Sequence, residues 1–233
     1  MSAAQPIGPV VDTTPADRPG PVTLTGSRVR IEKLDAARHG DALWHALKGD
    51  DAVWTYMSYG PFKDGRAFAE WLDERAVLLD PYSYAICDYA SGDARGVFTL
   101  LEIRPAMRVI EVGHVLLSPA LQRTQASTEA QYLLMRYVFD DLGSRRYEWK
   151  CNALNAPSRA AAARLGFAYE GTFRQHMIVK GRNRDTAWFA ITDGEWPAAR
   201  RAFETWLAPD NFDAEGQQKS GLTALREQKR ATA

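Results

Sequence analysis

Residues 147–167 read YEWKCNALNAPSRAAAARLGF, and this stretch decides the fold. Tyr147–Asn152 reads as a short strand. Asn155 and Ser158 stand where short polar side chains cap a helix start. Ser158–Leu165 is a small alanine-rich helix, and Gly166 ends it. Upstream, Thr128–Leu142 carries Tyr132, Leu133, Met135, Val138, Phe139 and Leu142 as an apolar helical stripe, with Gly143 at its C-terminal cap. A strand over Val109–Leu117 precedes that helix and stops before Pro119.

Two earlier strands, Tyr82–Tyr89 and Arg95–Ile103, meet at a turn over 90–93. Val22–Leu24 and Val29–Lys33 read as the first strand region, turning near Gly26. Ala36–Lys48 is a helix with Leu43, Trp44 and Leu47 at helical spacing and Asp35 as its N-cap. Ala67–Leu79 is a second, capped by Asp64, with Phe68, Trp71, Leu72 and Leu78 near one stripe. Downstream, strands Phe167–Phe173 and Asp185–Ile191 are joined across 180–184, and Trp196–Leu207 is a last helix with Pro197 in its first turn. The order β-α-α-β-β-β-α-β-α-β-β-α describes one mixed α/β domain over residues 21–208. Residues 1–20, with Pro6, Pro9, Pro15 and Pro19 among small and polar residues, read as a flexible arm. Residues 209–233 read as a C-terminal tail, in which Leu222 and Leu225 share one side of a short helix running into the charged stretch 226–230.

The 233 residues are enough to bury one core and few for two. Twenty-nine basic residues balance twenty-nine acidic ones, so no global field favours nucleic acid or a membrane surface. Cys87 and Cys151 make no disulfide framework and no metal site by themselves. Neither a secretory apolar core nor a run of about 18 apolar residues is present, so a cytoplasmic protein is expected.

Three segments carry a resemblance: EVGHVLLSPALQRTQASTEA (Glu111–Ala130), the 147–167 stretch, and EGTFRQH with KGRNRDTAWF (Glu170–His176 and Lys180–Phe189). Together they resemble the core of the GNAT superfamily, most closely its RimJ/RimL-like branch of N-acetyltransferases. The resemblance implies an α/β (α+β) fold whose mixed central sheet has splayed strands and flanking helices. It implies acetyl-CoA as cosubstrate, no metal, and transfer of acetyl to a primary amine of a small molecule or a protein N-terminus. The loop into the helix would bind the CoA pyrophosphate, because a helix start offers unpaired N–H groups and the positive end of the dipole. Its residues here are Gln122, Arg123, Thr124, Gln125, Ala126, Ser127 and Thr128. The family usually has Gln/Arg-x-x-Gly-x-Gly/Ala; Gln122 fits, while Gln125 stands where glycine is usual and Ser127 where glycine or alanine is usual. The strand ending at Asn152 would splay from its neighbour to admit the pantetheine. Asn155 would bond that arm, and Ser158 would protonate the leaving thiolate. Gly181 and Asp185 match the glycine turn and the acidic residue of the C-terminal hairpin.

Amine acylation needs a neutral amine, so a base must take a proton, and backbone N–H must polarise the thioester carbonyl. Val115 and Leu116 lie where the family's oxyanion donor falls. Glu111 leads as base and His114 follows; alternation puts them on opposite faces unless Gly113 marks a bulge. An acidic residue of RimL-like enzymes aligns near Met177, and His176 beside it is a substitute. Cys151 reads as a buried strand cysteine. The aromatic loop Trp54–Phe62 is expected to line the acceptor site through Tyr56 and Tyr59. Arg182 and Arg184 read as a solvated turn. Two alternatives are transfer of a longer acyl group such as succinyl, with Arg174 or Arg182 on its carboxylate, and a non-catalytic CoA-binding sensor. A homodimer is compatible with the resemblance, and no nucleic-acid or membrane partner is expected.

Overall fold

Two aspartates fix the first helices. Asp35 Oδ1 accepts from the Arg38 N–H at 3.0 Å and Asp64 Oδ1 from the Ala67 N–H at 2.8 Å, satisfying donors a helix start leaves open. In the computed structural model, which describes residues 5–228, the chain runs β1 (Thr23–Thr25), β2 (Val29–Lys33), α1 (Ala36–Leu47), α2 (Gly65–Ala76), β3 (Tyr82–Asp88), β4 (Ala94–Arg104), β5 (Val109–Leu117), α3 (Gln125–Arg136), β6 (Arg146–Asn152), α4 (Ala156–Leu165), β7 (Ala168–Val179), β8 (Arg182–Thr192), α5 (Trp196–Leu207) and α6 (Leu222–Gln228).

The strands form one sheet in the order β1-β2-β3-β4-β5-β6-β8-β7. Every pairing is antiparallel except β5 with β6, which is parallel and crosses over through α3. One face carries Ile31, Tyr84, Phe98, Ile110, Tyr147 and Phe189 under α3 and α5. The other face, over β3, β4 and the end of β5, carries Ala85, Cys87, Val97 and Leu116 under α1 and α2. Glu111, Glu148 and Lys150 alternate with the apolar residues of β5 and β6, so that half of the second face is polar.

Glu129 on α3 ties the first hairpin to the body. Its carboxylate accepts from the Ser27 N–H (3.0 Å), the Ser27 hydroxyl (2.7 Å), the Arg28 N–H (2.7 Å) and the Val29 N–H (3.1 Å). A Cβ on Gly26 would lie 2.5 Å from this carboxylate, so only glycine fits the turn.

Four expectations need correction. Leu78 is 37% exposed and lies past α2, which ends at Ala76, so it belongs to no buried stripe. Strands β7 and β8 run longer than expected: Met177 pairs with Arg184, Ile178 with Asn183 and Val179 with Arg182, leaving the turn at Lys180–Gly181. The segment after Pro209 packs rather than trails. Asn211 Nδ2 donates to the Trp206 and Ser220 carbonyls, and Leu222 on α6 is 2% exposed, a burial worth about 2 kcal/mol. Lys229 and Arg230 lie outside the described residues. Part of the arm is also docked: the Asp17 N–H donates to the Leu142 carbonyl at 2.8 Å, and the Tyr84 hydroxyl to the Gly20 carbonyl at 2.8 Å.

Candidate active site

β5 and β6 pair for four residues only, from Val109 with Arg146 to Val112 with Trp149. Beyond that point the strands part. β5 also carries an extra residue there: Val97 and Thr99 of β4 face Leu116 and Gly113, so two steps on one strand span three on the other. His114 sits inside this bulge at φ 46°, a left-handed conformation uncommon for any residue but glycine. Through the bulge both side chains share a face: Glu111 alternates with Ile110 and Val112 of the α3 face, and His114 packs with Tyr59, Arg75 and Val97 on the α2 side.

On the side of α3 and α4 the parting opens a cleft of ≈ 1150 Å³. Its walls include Val115, Leu116 and Leu117 of β5, Trp149 of β6, Gln122 to Gln125 with Ser127 and Thr128 at the start of α3, and Asn155 and Ser158 of α4. Thr124 caps α3 by accepting from the Ser127 N–H at 3.1 Å, which leaves the Gln125 and Ala126 N–H groups as first-turn donors without an intrahelical partner. Gln125 turns its amide toward the Gly216 carbonyl, 3.5 Å away, and not across the helix mouth. Gln122 Nε2 donates to the Leu117 carbonyl at 3.0 Å and closes the loop on itself. Trp149 Nε1 donates to Ser158 Oγ at 3.0 Å, and the Ser158 hydroxyl is in turn within hydrogen-bond reach of the Cys151 sulfur. Asn155 caps α4 through the Ser158 N–H at 3.0 Å.

Two of the expected cofactor residues do not place side chains on this wall. Ala126 packs against the apolar core, and Asn152 Oδ1 accepts from the Leu154 N–H at 2.9 Å within its own turn. Residues with no signal in the sequence pattern also line it. Trp206, Phe212 and 216–218 reach it from the C-terminal segment, and Arg164 donates to Thr128 Oγ1 at 3.1 Å with its guanidinium 4.9 Å from the Trp206 ring centre.

The opposite mouth of the parting is polar. Glu111 is 5% exposed and its carboxylate meets Lys150 Nζ at 2.7 Å. Burial outweighs the pull of Lys150 and lifts the Glu111 carboxyl to about 7. His114 Nδ1 lies 3.1 Å from the Tyr59 hydroxyl. Burial, then the charges of Arg75 and Arg184, bring its imidazole down to about 4, so it is neutral at pH 7. Tyr59 therefore touches His114, and Arg75 lies over its ring at 4.9 Å. Tyr56 donates to the Leu154 carbonyl at 3.1 Å, and Lys180 Nζ to the Trp54 carbonyl at 3.0 Å, so the aromatic loop bridges to the β6–α4 turn and to the β7–β8 hairpin. His176 is exposed and its Nδ1 lies 3.0 Å from Thr186 Oγ1. Arg184 departs from the solvated-turn expectation, because its Nε is buried. Cys151 is buried and burial pushes its thiol up, away from the thiolate.

Glu32, His39 and Cys87 also gather, their ligand-type atoms within 4.8 Å of one another. The Asp35 N–H donates to His39 Nδ1 at 3.0 Å, so the neutral ring carries its proton on Nε2 and gives it to Glu32 Oε1 at 3.1 Å. Cys87 Sγ and Arg38 Nη2 reach the same oxygen at 3.3 and 2.9 Å. A metal would need the Nε2 lone pair and a thiolate, and burial holds the Cys87 thiol up at about 12. The cluster is a hydrogen-bonded buried carboxylate.

Residues 28–168 match the family described as the Acetyltransferase (GNAT) domain. Among solved structures, a GCN5-related N-acetyltransferase from Brucella melitensis is 48% identical with a TM-score of 0.89, over 92% of this chain and 98% of that one. A GNAT-family acetyltransferase candidate from Chromobacterium violaceum is 43% identical with a TM-score of 0.77, over 83% and 100%. YdaF of Bacillus subtilis (strain 168), provisionally named a ribosomal N-acetyltransferase, is 27% identical over 45% of this chain; the match spans 57% of that relative's length.

Proposed function

The chain belongs to the GNAT acetyltransferase family, and from that membership we propose that it transfers the acetyl group of acetyl-CoA to a primary amine by direct attack in a ternary complex. The carrying observation is the parting of β5 and β6 after Val112 and Trp149, with an open cleft leading from it to the start of α3. The donors at that helix mouth, with Thr124 and Thr128 beside them, suit a diphosphate. Asn155 and Ser158 flank the path toward the parting.

In this reading the amine enters from the polar mouth and Glu111 takes its proton. The nitrogen bonds to the acetyl carbon, backbone N–H of Val115 or Leu116 steadies the carbonyl oxygen, and the carbon–sulfur bond breaks as Ser158 gives its proton to the sulfur; the second proton leaving the nitrogen returns to Ser158 through solvent, and Glu111 releases its own to solvent. Proton affinity favours Glu111 over His114. Their values near 7 and 4 differ by three units, about 4 kcal/mol, and a base near the working pH is the better matched. His114 is then a neutral neighbour of the reacting amine, oriented by Tyr59. YdaF's name, a ribosomal N-acetyltransferase, directs the acceptor panel first to ribosomal amines.

Calorimetric titration with acetyl-CoA, followed by thiol release over peptides and small amines, tests the proposal. Binding with amine-dependent release supports it. Binding without release from any amine would make the chain a CoA sensor, and absence of binding would remove both readings.

A further inference from the structure

Of the cations around Glu111, Lys150, Arg104 and Arg146 have carboxylate partners, Arg146 with Glu170 as well. Glu111 is committed to Lys150 at 2.7 Å. Glu148 takes Arg146 at 2.7 Å, Arg104 at 3.0 Å and Lys150 at 3.7 Å. Arg184 and Arg75 have no such partner: among the described residues neither makes an ion pair within 4 Å, and Arg75 is held only against the rings of Tyr59 and Trp71. Arg184 Nε is buried and bonded to nothing. Trp188, four residues along β8 and so on the same face, has its Nε1 buried and unbonded as well, its ring covered by Lys150 Nζ at 3.8 Å. Thr186 lies between them on that face and meets His176. A buried donor without an acceptor is destabilising, and a desolvated guanidinium without an anion more so. A substrate with an anionic group would supply the acceptors that these two side chains lack.

The acetyl group and pantetheine carry no charge, and the α3 donors suited to the diphosphate line a cleft whose walls include neither Arg184 nor Trp188. The anion belongs to the amine. We propose that the acceptor is an amine that also carries a carboxylate, with its nitrogen at Glu111 and its carboxylate on Arg184, and with Trp188 Nε1 as a further donor. The inference rests on the acetyl-transfer reading and names its substrate class. Planar guanidinium suits a carboxylate through paired N–H bonds.

The test uses the CoA-loaded protein and two product-like probes, N-acetylglutamate and its neutral counterpart N-acetylglutaminamide. Calorimetry should give an affinity for the acid at least about ten-fold above that for the amide, as one charge-assisted contact implies. Arg184→Gln should bring the two within about two-fold, and Arg184→Lys should restore part of the gap. Equal affinities in the wild type, binding of neither probe, or a gap that survives Arg184→Gln would overturn the proposal. A thiol-release arm separates the possible sources of the carboxylate. If succinyl-CoA outruns acetyl-CoA with a neutral amine, and Arg184→Gln removes that advantage, the arginine serves the acyl chain and the proposal falls. Failure of CoA itself to bind in the loading titration would instead sink the acetyl-transfer reading, a result distinct from these.

Discussion

Replacing Glu111 by glutamine removes the proposed proton acceptor while keeping the side chain's size and a hydrogen bond to Lys150. An alkylammonium with a pKa of about 10 is neutral to about one part in 10³ at pH 7. With Glu111 collecting the proton, and its carboxyl lifted to about 7 by burial, kcat/KM should climb up to pH 7 and then hold level. The E111Q protein must wait for the rare free amine. Its kcat/KM at pH 7 should fall by roughly 10²–10³, rise about ten-fold per pH unit, and approach the wild type near pH 10. Burial is also a stability statement. The folded-state value lies above the ordinary one, so the folded protein holds this proton more tightly than the unfolded chain. Wild type should lose stability relative to E111Q as pH rises from about 4.5 to about 7, and not regain it above. Thiol release at constant ionic strength from pH 6 to 10, and urea melts over pH 4 to 8, read the two effects. An E111Q enzyme that keeps the wild-type level region above pH 7 would refute the assignment and return the base to His114 or to solvent.

Ser158→Ala should lower kcat roughly ten-fold or more, with acetyl-CoA affinity little changed in a parallel titration. Tyr59→Phe takes away the hydroxyl at His114 Nδ1; the acceptor KM should rise several-fold while the acetyl-CoA Kd stays within about two-fold, and equal loss of both would count against a place for Tyr59 on the acceptor side. Glu129→Gln sets an amide N–H among the three backbone N–H groups of 27–29 and the Ser27 hydroxyl; urea melts should show about 3 kcal/mol less stability at an unchanged slope.

The strand–helix order and the helix caps were legible because they depend on local chemistry. Asp35 and Asp64 cap where a short acceptor precedes an apolar stripe, and Gly166 ends α4 at φ 107°, where a side chain would be strained. The ligand wall was legible where it follows one segment, from Thr124 to Thr128 and from Asn155 to Ser158. It was not legible where distant segments meet. Arg164, Trp206 and Phe212 reach the cleft because α6 folds back: Arg226 Nη1 donates to the Arg164 carbonyl at 2.9 Å. In the sequence that segment looks too polar to pack, since its burial falls on Leu222 and on one buried asparagine. Arg184 was misread for the same reason. A turn rich in arginine and asparagine reads as solvated, and only the pairing of β7 with β8 past Asp185 carries its guanidinium into the site.

The bulge in β5 links these threads. In a regular strand, residues three apart face opposite sides, and Glu111 and His114 would be divided by the sheet. One extra residue, accommodated by a left-handed His114 beside Gly113, turns both to the mouth where Arg184 and Lys150 wait. A Cβ on Gly113 would meet Leu101 Cδ2 at 2.8 Å and lie 3.4 Å from Glu111 Oε1, so the Leu101 side chain would have to shift to admit one. The same irregularity skips His114 and Val115 in the β4–β5 register, between Gly113 opposite Thr99 and Leu116 opposite Val97, beside the place where β5 leaves β6. A regular ladder through 113–116 would therefore turn His114 to the opposite face from Glu111, and in the proposed reaction the base would lose its neutral neighbour; that gain accompanies the strained backbone at His114.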